Sequence, residues 1–532
     1  MNLILTGFMG TGKTTIGREA AERLARTFVD MDDEIVARAG KPIPRIFAED
    51  GEPAFRAIEA AVCADLSARD GLVIATGGGA LVNPANRAVM QRGGVVICLD
   101  AKPDEILRRV GSDDGRPLLN VPDPAARIAE LLAARRDAYG AIPWHIQTDC
   151  YTVGDVVAQV LVLAETFTLP VRHPGGEYPI HIGRGLLAHL GGALRAGGVR
   201  EETVIAIVTN TVVGPLYAGQ VEAKLRDAGY RPFVCTIPDG EQHKTLATVR
   251  ALYDQFLAGR LDRSGVVLAL GGGVTGDIAG FAAATFMRGT RFVQVPTSLL
   301  AMTDASVGGK TGVDLPQGKN LVGAFKQPEL VLIDLAVLDT LPEAEFRSGM
   351  AELLKHGVIG APELFDELRI SESANQRITN YELPAADLAR SLQVKIAIVE
   401  EDPFERGRRA VLNLGHTSAH GLEQVSEFTL RHGDAVSIGM VVAARIVEAL
   451  GRAESGLVAH IAATLSAWGL PVTCPPYPVD AVWAAMTHDK KKQGKGLRWI
   501  LPRAIGDVEI VDDVPESLVK QILVEMGAKN GE

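Results

Sequence analysis

The sequence predicts an α/β protein with mostly parallel sheets that gives way to an all-helical region near residue 340. Three observations carry this. Apolar strand-like runs at Leu3–Leu5, Leu72–Ala75, Val95–Leu99, Val204–Val208, Val266–Leu270 and Phe292–Val295 alternate with amphipathic helical stretches. After residue 340 that alternation fades, and Ala, Leu, Glu and Lys recur at helical spacing, as in Gly349–Gly357 and Leu388–Glu400. A chain of 532 residues exceeds one ordinary core, and roughly 100–200 residues per domain gives about three domains.

The expected division is 1–165, then a linker and the start of a second part at 166–178, then 179–340 and 341–532. The stretch FTLPVRHPGGEYPI, with three prolines and no helical period, marks the linker. The formal charge of −11 and pI near 5.6 argue against a general nucleic-acid binder. No basic leader and no apolar run of membrane-spanning length is evident, so a cytoplasmic protein without a membrane partner is expected. The five cysteines are scattered and form no C-x-x-C pair, which fits reduced, buried thiols.

Residues 7–14 read G-F-M-G-T-G-K-T, between the strand Leu3–Leu5 and a helical stretch at Thr15–Arg26. This is the G-x-x-x-x-G-K-[ST] phosphate loop in its required context. Glycines let the backbone close on phosphate, and the N–H groups of Gly10, Thr11, Gly12 and Thr15 and the helix N-terminus then face negative charge. Lys13 would reach the β- and γ-phosphates and Thr14 would bind Mg²⁺. The loop identifies the nucleotide; residues beyond it must identify the acceptor. Asp30 and Asp32 end a probable strand two residues apart, so in an extended segment they share a face. Arg56 follows a turn, Gly77-Gly78-Gly79 follows the strand Leu72–Ala75, Arg116 lies in a Gly/Asp-rich loop suited to a lid, and Arg135 precedes Tyr139 by four.

In order and over residues 1 to about 160, the phosphate loop, D-x-D, G-E-x-x-F-R-x-I-E, GGG, RPLL and R-x-x-x-Y resemble shikimate kinase. The resemblance implies a P-loop kinase domain that moves phosphoryl from ATP with Mg²⁺ to the 3-hydroxyl of shikimate. It would place Asp32, Arg56, Gly78, Gly79 and Arg135 around shikimate, Asp30 near Mg²⁺ and Arg116 over the phosphates. Lys13, Asp32 and Arg116 would be the catalytic set. Arg136 adjoins Arg135, and the spacing to Tyr139 favours Arg135.

Further on, the strand Val266–Leu270 runs into Gly271-Gly272-Gly273-Val274-Thr275-Gly276-Asp277, a turn suited to pyrophosphate. The run from Pro296 to Gly312, followed by Lys319-Asn320, packs Asp304, Lys310, Lys319 and Asn320 among glycines and reads as a functional loop. Glu352 and Lys355 lie three apart on one helical face. Three of the eleven histidines, His416, His420 and His432, fall within seventeen residues. A carboxylate with two imidazoles is a catalytic Zn²⁺ set. The spacing leaves the choice among the three open, with the i,i+4 pair His416 and His420 the simplest guess.

Residues 170–510 resemble 3-dehydroquinate synthase through G-E-x-x-K, GGGVTGD, PTSLLAMTDASVGGKTGV, GKN, M-A-E-L-L-K-H-G, LNLGHTSAH, HGDAV and DKK. The resemblance implies a Rossmann-like NAD-binding α/β domain followed by an all-helical metal-binding domain. It assigns Zn²⁺ (or Co²⁺) to Glu352, His416 and His432, and moves His420 to the proton-transfer site. Around NAD⁺ it places Asn210, Glu241, Lys244, Gly272, Gly273, Asp277, Thr297, Ser298, Lys310, Lys319 and Thr340. Around the substrate it places Arg288, Asp304, Lys310, Lys319, Asn320, Lys355, Lys395, Arg409, Asn413, His420 and one lysine of Lys490–Lys492, with Lys490 favoured. Asp304, Lys310, Lys355 and His420 would be catalytic. Asp434 stands where the family commonly has Glu, and Ser298 where Thr is common.

The implied reaction converts 3-deoxy-D-arabino-heptulosonate 7-phosphate to 3-dehydroquinate and phosphate. Oxidation by NAD⁺ acidifies a neighbouring C–H, phosphate leaves by β-elimination, hydride returns, and an aldol step closes the ring. A homodimer through the synthase half is implied, with small-molecule substrates as the other partners. The alternatives weighed are a related sugar-phosphate cyclase or metal alcohol dehydrogenase, and a scaffold with dead sites. The last predicts loss of Lys13, Asp304 or the metal ligands, and all are present.

Overall fold

A computed structural model describes residues 1–110, 121–369, 383–487 and 497–530. Arg116 and Lys490 lie outside these. The first sheet has strand order β2-β3-β1-β4-β5. Its members are β1 (Asn2–Gly7), β2 (Thr27–Asp30), β3 (Leu72–Ala75), β4 (Gly94–Asp100) and β5 (Trp144–Gln147). All four pairings are parallel, with Leu3 against both Val73 and Val95. Such a sheet is covered on both faces, which is why β1 reads NLILTG and is buried throughout. Ile4, Ile74 and Val96 join Val62, Leu66 and Ile128 in one buried cluster. Burial of each such side chain contributes roughly 1.5–3 kcal/mol. As the central strand, β1 delivers Gly7 to the carboxyl edge of the sheet, where ligands bind in open α/β folds.

The second sheet has order β6-β7-β14-β11-β10-β8-β9. It comprises β6 (Phe167–His173), β7 (Gly176–Gly183), β8 (Val204–Asn210), β9 (Arg231–Ile237), β10 (Val266–Gly271), β11 (Arg291–Pro296) and β14 (Leu330–Asp334). β10 pairs parallel with β8 and β11, and β11 with β14. An antiparallel hairpin of β12 (Lys310–Leu315) and β13 (Gly318–Phe325) stands apart from it.

Several expectations change. The linker expected to open 166–178 is short. Only Glu165 and Thr166 separate the helix Val153–Ala164 from β6, and the rest enters β6 and β7. Buried Leu169, Val171, Tyr178 and Ile180 explain this: alternate residues of a proline-containing stretch face a core. The functional loop expected over Pro296–Gly312, with Lys319-Asn320 after it, is largely ordered as a π-helical turn, Ala301–Ala305, and the β12–β13 hairpin. Its glycines sit where backbones touch; a Cβ on Gly312 would lie 2.6 Å from Val322 O. Among the described residues, the region after 340 is mainly helical and adds an antiparallel hairpin, β15 (Trp499–Ala504) and β16 (Asp507–Val511).

The chain forms two compact units. One is Met1–Phe167 with Gly183–Thr203 and Gln220–Arg231; the other is Thr168–Ile182, Val204–Gly219 and Pro232–Glu532. Residues 183–203 join the first unit through close contacts. Arg136 Nη2 meets Glu201 Oε2 at 2.6 Å, and a Cβ on Gly192 would lie 2.3 Å from Pro143 O. Residues on either side of 340 belong to the same second unit.

Candidate active sites

In the first unit the loop between β1 and the helix Lys13–Leu24 holds Gly10 at φ 78° and Gly12 at φ 92°, conformations that strain any L side chain. Gly12 caps the helix without a side-chain acceptor, so its N-terminal N–H groups are available to an anion. Lys13 Nζ donates to Gly7 O at 3.0 Å and Phe8 O at 2.9 Å, folded over the loop. Thr11 is buried, while Thr14 and Thr15 are exposed. Thr14 Oγ1 donates to Asp30 Oδ2 at 3.0 Å.

The two acidic residues do not share an extended face. β2 stops at Asp30, which caps the helix Met31–Ala39 by accepting from Asp32 N at 3.1 Å. A short aspartate at a helix start satisfies an orphan donor better than a further strand residue would. The change still separates the two carboxylates by role. Asp30 meets Thr14, whereas Asp32 turns to the glycine turn, where a Cβ on Gly77 would lie 2.9 Å from its Oδ1. Burial, then the neighbouring Asp30, raises the Asp32 carboxyl above its ordinary value.

Arg135 Nη1 and Tyr139 OH both donate to Gly78 O, at 2.9 and 2.6 Å. A Cβ on Gly79 would stand 3.5 Å from Arg56 Nη1 and 3.9 Å from Arg135 Nη2. Asp32, Arg56, Gly78, Gly79 and Arg135 therefore surround one turn. Arg136 is directed instead to Glu201. Arg56 Nη1 is held by Glu59 at 2.9 Å, a buried carboxylate to which the motifs assign no role. Its i,i+3 spacing from Arg56 on the helix Gly51–Ala68 was the available signal.

In the second unit, β10 enters the helix Gly273–Thr285 through Gly272. A Cβ would lie 3.3 Å from Ser298 Oγ at Gly272 and 3.2 Å from Ala305 Cβ at Gly273, so the turn packs against the Thr297–Ala305 segment. Thr297 N donates to Gly271 O at 3.0 Å. Buried Lys244 meets Asp277 Oδ2 at 2.6 Å and Asn320 Oδ1 at 2.5 Å. Burial pushes the Asp277 carboxyl up to about 6, against the pull of Lys244. Lys319 lies 3.3 Å from Glu241 and 4.3 Å above the Phe428 ring. Asn210 bonds Asp239 at 2.6 Å, and Thr340 bonds Tyr217 at 2.5 Å.

The helix Glu343–Gly360 places Glu352 and Lys355 on one face, fully buried and in contact. Glu352 Oε1 accepts no well-formed hydrogen bond. It faces His432 Nε2 at 3.4 Å and His416 Nε2 at 3.6 Å. One ligating atom from each of the three lies within 4.8 Å of the others. An anionic oxygen and two imidazole nitrogens directed at one point are the donor set of a divalent ion. His416 Nδ1 sits 3.2 Å from Leu414 O, which assigns the proton there and the lone pair to Nε2. Burial, then Lys355, pushes His416 down to about 3. Burial lowers His432 as well, but Glu352 and Glu423 prevail and lift it to about 10. That value belongs to the ion-free pair; an ion would take the place of the shared proton.

Glycines fix the backbones around His416 and His432. A Cβ on Gly433 would lie 2.3 Å from Ser348 O, and one on Gly439 would lie 2.0 Å from Gly415 O. Beside this centre, Lys395 Nζ pairs with Asp304 Oδ1 at 2.6 Å; despite burial, Lys395 holds the Asp304 carboxyl low. Buried Arg409 donates to Pro403 O at 2.8 Å and Gly308 O at 3.3 Å, and Lys310 pairs with Glu405. His420 is exposed, its ring centroid 5.5 Å from that of His416. Glu352 thus clusters with His416 and His432, whereas His420 is not one of these three side chains. Arg288 is exposed in a left-handed conformation (φ 64°) and Asn413 is exposed, neither drawn into these bonds. Glu423, 3.2 Å from His432 Nδ1, was missed. It lies seven residues after His416 on one helix, a spacing that could have found it.

Cys98, Asp100 and His145 also cluster. There His145 Nδ1 lies only 2.6 Å from Asp100 Oδ2 and Cys98 donates to Asp100, so these atoms satisfy one another.

Residues 9–164 match the family model for shikimate kinase, 234–348 that for the 3-dehydroquinate synthase N-terminal region, and 349–492 that for its C-terminal region. A 3-dehydroquinate synthase of Microcystis aeruginosa is 46% identical over 357 residues, covering 67% of this chain and 97% of the relative. One from Geobacter metallireducens is 44% identical over 348 residues, covering 65% and 95%. Among solved structures, the 2-epi-5-epi-valiolone synthase ValA of Streptomyces hygroscopicus subsp. jinggangensis 5008, with NAD⁺ and Zn²⁺ bound, superposes with a TM-score of 0.60 at 30% identity. That match covers 66% of this chain and 96% of ValA.

Proposed function

We propose a residue-level assignment for two reactions, starting from the fact that the chain belongs to the 3-dehydroquinate synthase family and carries a shikimate kinase domain ahead of it. It is a bifunctional shikimate-pathway enzyme. One activity phosphorylates shikimate with ATP. The other converts 3-deoxy-D-arabino-heptulosonate 7-phosphate to 3-dehydroquinate and phosphate. Residues 1–165 are assigned to the kinase, 179–340 to NAD⁺ binding and 341–532 to metal and substrate.

In the kinase, Gly10–Thr15 and Lys13 bind the ATP phosphates, and Thr14 with Asp30 holds Mg²⁺. Arg56 and Arg135 clamp the shikimate carboxylate, a match for bidentate guanidinium geometry. Asp32, with its raised pKa, takes the hydroxyl proton. Arg116 is assigned to the transferring phosphoryl group by the family's motif.

In the synthase, the Gly271–Gly273 turn and the helix after it receive the NAD⁺ pyrophosphate. Glu352, His416 and His432 hold the divalent ion, Zn²⁺ or Co²⁺. When bound, the dinucleotide accepts and returns a hydride and the ion polarises the reacting hydroxyl. Lys355, Lys395, Arg409 and Lys310 offer positive charge to the substrate's carboxylate and phosphate. Asp304 orients Lys395, and His420 moves protons at the rim. The carrying observation is the buried Glu352 oxygen facing two imidazoles. The test supplies the purified, metal-loaded chain with the heptulosonate phosphate and NAD⁺. Release of phosphate with formation of dehydroquinate is expected; no product would overturn the assignment. The same reading includes a homodimer through the synthase half, checked by light scattering on the eluting chain, and a cytoplasmic location, checked by fractionation. Among the described residues no helix is long and apolar enough to cross a membrane.

A further inference from the structure

We propose that Glu423 is a positioning residue for His432: it fixes the ring and tautomer of that metal ligand from the side opposite the ion. The inference rests on the reading of Glu352, His416 and His432 as the ligand set.

The two nitrogens of His432 face two carboxylates supplied by different helices. Nε2 lies 3.4 Å from Glu352 Oε1, on Glu343–Gly360. Nδ1 lies 3.2 Å from Glu423 Oε1, on His416–Val425. A proton donated from Nδ1 to Glu423 leaves the Nε2 lone pair directed at the ion. The carboxylate also makes the imidazole a stronger donor. Glu423 is only 9% exposed, so its carboxylate needs a hydrogen-bond partner, and His432 provides one.

The two imidazole ligands therefore differ. His416 leans on a backbone carbonyl, Leu414 O, which no substitution removes. His432 leans on a side chain, which one substitution removes.

Local backbone geometry supports a built contact. Eight residues lie between Glu423 and His432, and the chain must reverse within them. Glu427 and Phe428 both adopt left-handed conformations, φ 52° and 59°, which strain residues with a Cβ. The reversal is braced by Phe428 N to Glu423 O at 2.8 Å, Ser426 Oγ to Glu423 O at 2.8 Å and Leu430 N to Ser426 Oγ at 3.2 Å. Gly433 N then bonds Ser348 Oγ at 3.0 Å, anchoring the His432 backbone to the helix that carries Glu352. Backbone position is thus set by Ser348, and ring rotation by Glu423.

The test compares Glu423→Gln, Glu423→Ala and His432→Ala in the full chain. Zinc affinity is read by competition with a chromogenic chelator, and ligand geometry by the visible spectrum of the Co²⁺-substituted protein. Glu423→Ala should weaken zinc about 10–100-fold and shift the cobalt bands. Glu423→Gln, which keeps shape and an acceptor oxygen, should weaken zinc less and shift the bands in the same direction. Parent-like affinity and spectrum in both Glu423 variants would overturn the proposal. If Glu423→Ala does not fold, an unchanged cobalt spectrum in Glu423→Gln overturns it alone. His432→Ala must lose zinc; if it does not, the ligand set falls first, a failure distinguishable from that of Glu423.

Discussion

The two sites solve opposite electrostatic problems. The kinase site is open: Thr14 and Thr15 are exposed, the Arg56 side chain is 41% exposed, and Lys13 rests on the carbonyls of its own loop. Its charged groups stand near the surface, where Arg56 pairs with Glu52 and Glu59. The synthase centre holds its charge inside: Glu352 is 0% exposed and Lys355 1%, each the other's neighbour. A buried ion pair adds little net stability, yet loss of one partner is expensive. Substitution at the first site should therefore alter activity alone. Substitution at the second should alter activity and folding together.

The strongest challenge to that contrast is His432→Ala, or removal of the ion with a chelator. Synthase turnover should fall about 10³-fold or more, the several kcal/mol that a Lewis acid supplies, while shikimate phosphorylation continues once Mg²⁺ is restored. Parallel assays on one sample check this, and loss of both activities would break the separation. Lys13→Ala should reduce phosphorylation about 10²–10³-fold, as for removal of one transition-state donor, with synthase turnover and the melting temperature unchanged. Retained ATP-dependent phosphorylation would refute the phosphate site.

Glu352→Gln sharpens the folding side. It leaves Lys355 buried without its anion, and the ion-free chain should lose about 3–5 kcal/mol in the unfolding of its second unit, measured in urea. A loss no larger than that of Lys13→Ala would show that the buried charge is relieved elsewhere. The smallest effect concerns Asp277. Its folded pKa, near 6, is above the ordinary 3.8, so the fold binds a proton that the unfolded chain releases. Its contribution is fully present below about pH 4 and is lost as pH rises through 6. Asp277→Asn should flatten that slope in the dinucleotide-free chain, as read from urea midpoints between pH 4 and 7.

Much of this was legible in the sequence. The strands Leu3–Leu5 and Val266–Leu270 announced themselves by continuous apolar runs, and each led into glycines with one conformational use. Glu352 and Lys355 were readable because helical spacing fixes their common face. The pairing of His416 with His432 was beyond spacing, because fifteen residues and a chain reversal intervene; family resemblance supplied it. Glu423 and Glu59 were missed for a related reason. An acidic residue on a helix usually faces water, and only tertiary packing turns these two inward. The linker that opens 166–178 is shorter than its prolines and glycines suggest, because alternate Leu169, Val171, Tyr178 and Ile180 are core.

The close approach of Gly439 to Gly415, and of Gly433 to Ser348, bears on how variants of this protein would sort in a genetic screen. These glycines carry no reactive group, yet any side chain there must displace a helix that carries Glu352, His416 or His432. In a saturation library selected for aromatic prototrophy they should be as intolerant as the histidines themselves. A map of sensitive positions would then trace the spacing of the helices and the chemistry of the ion in the same colour.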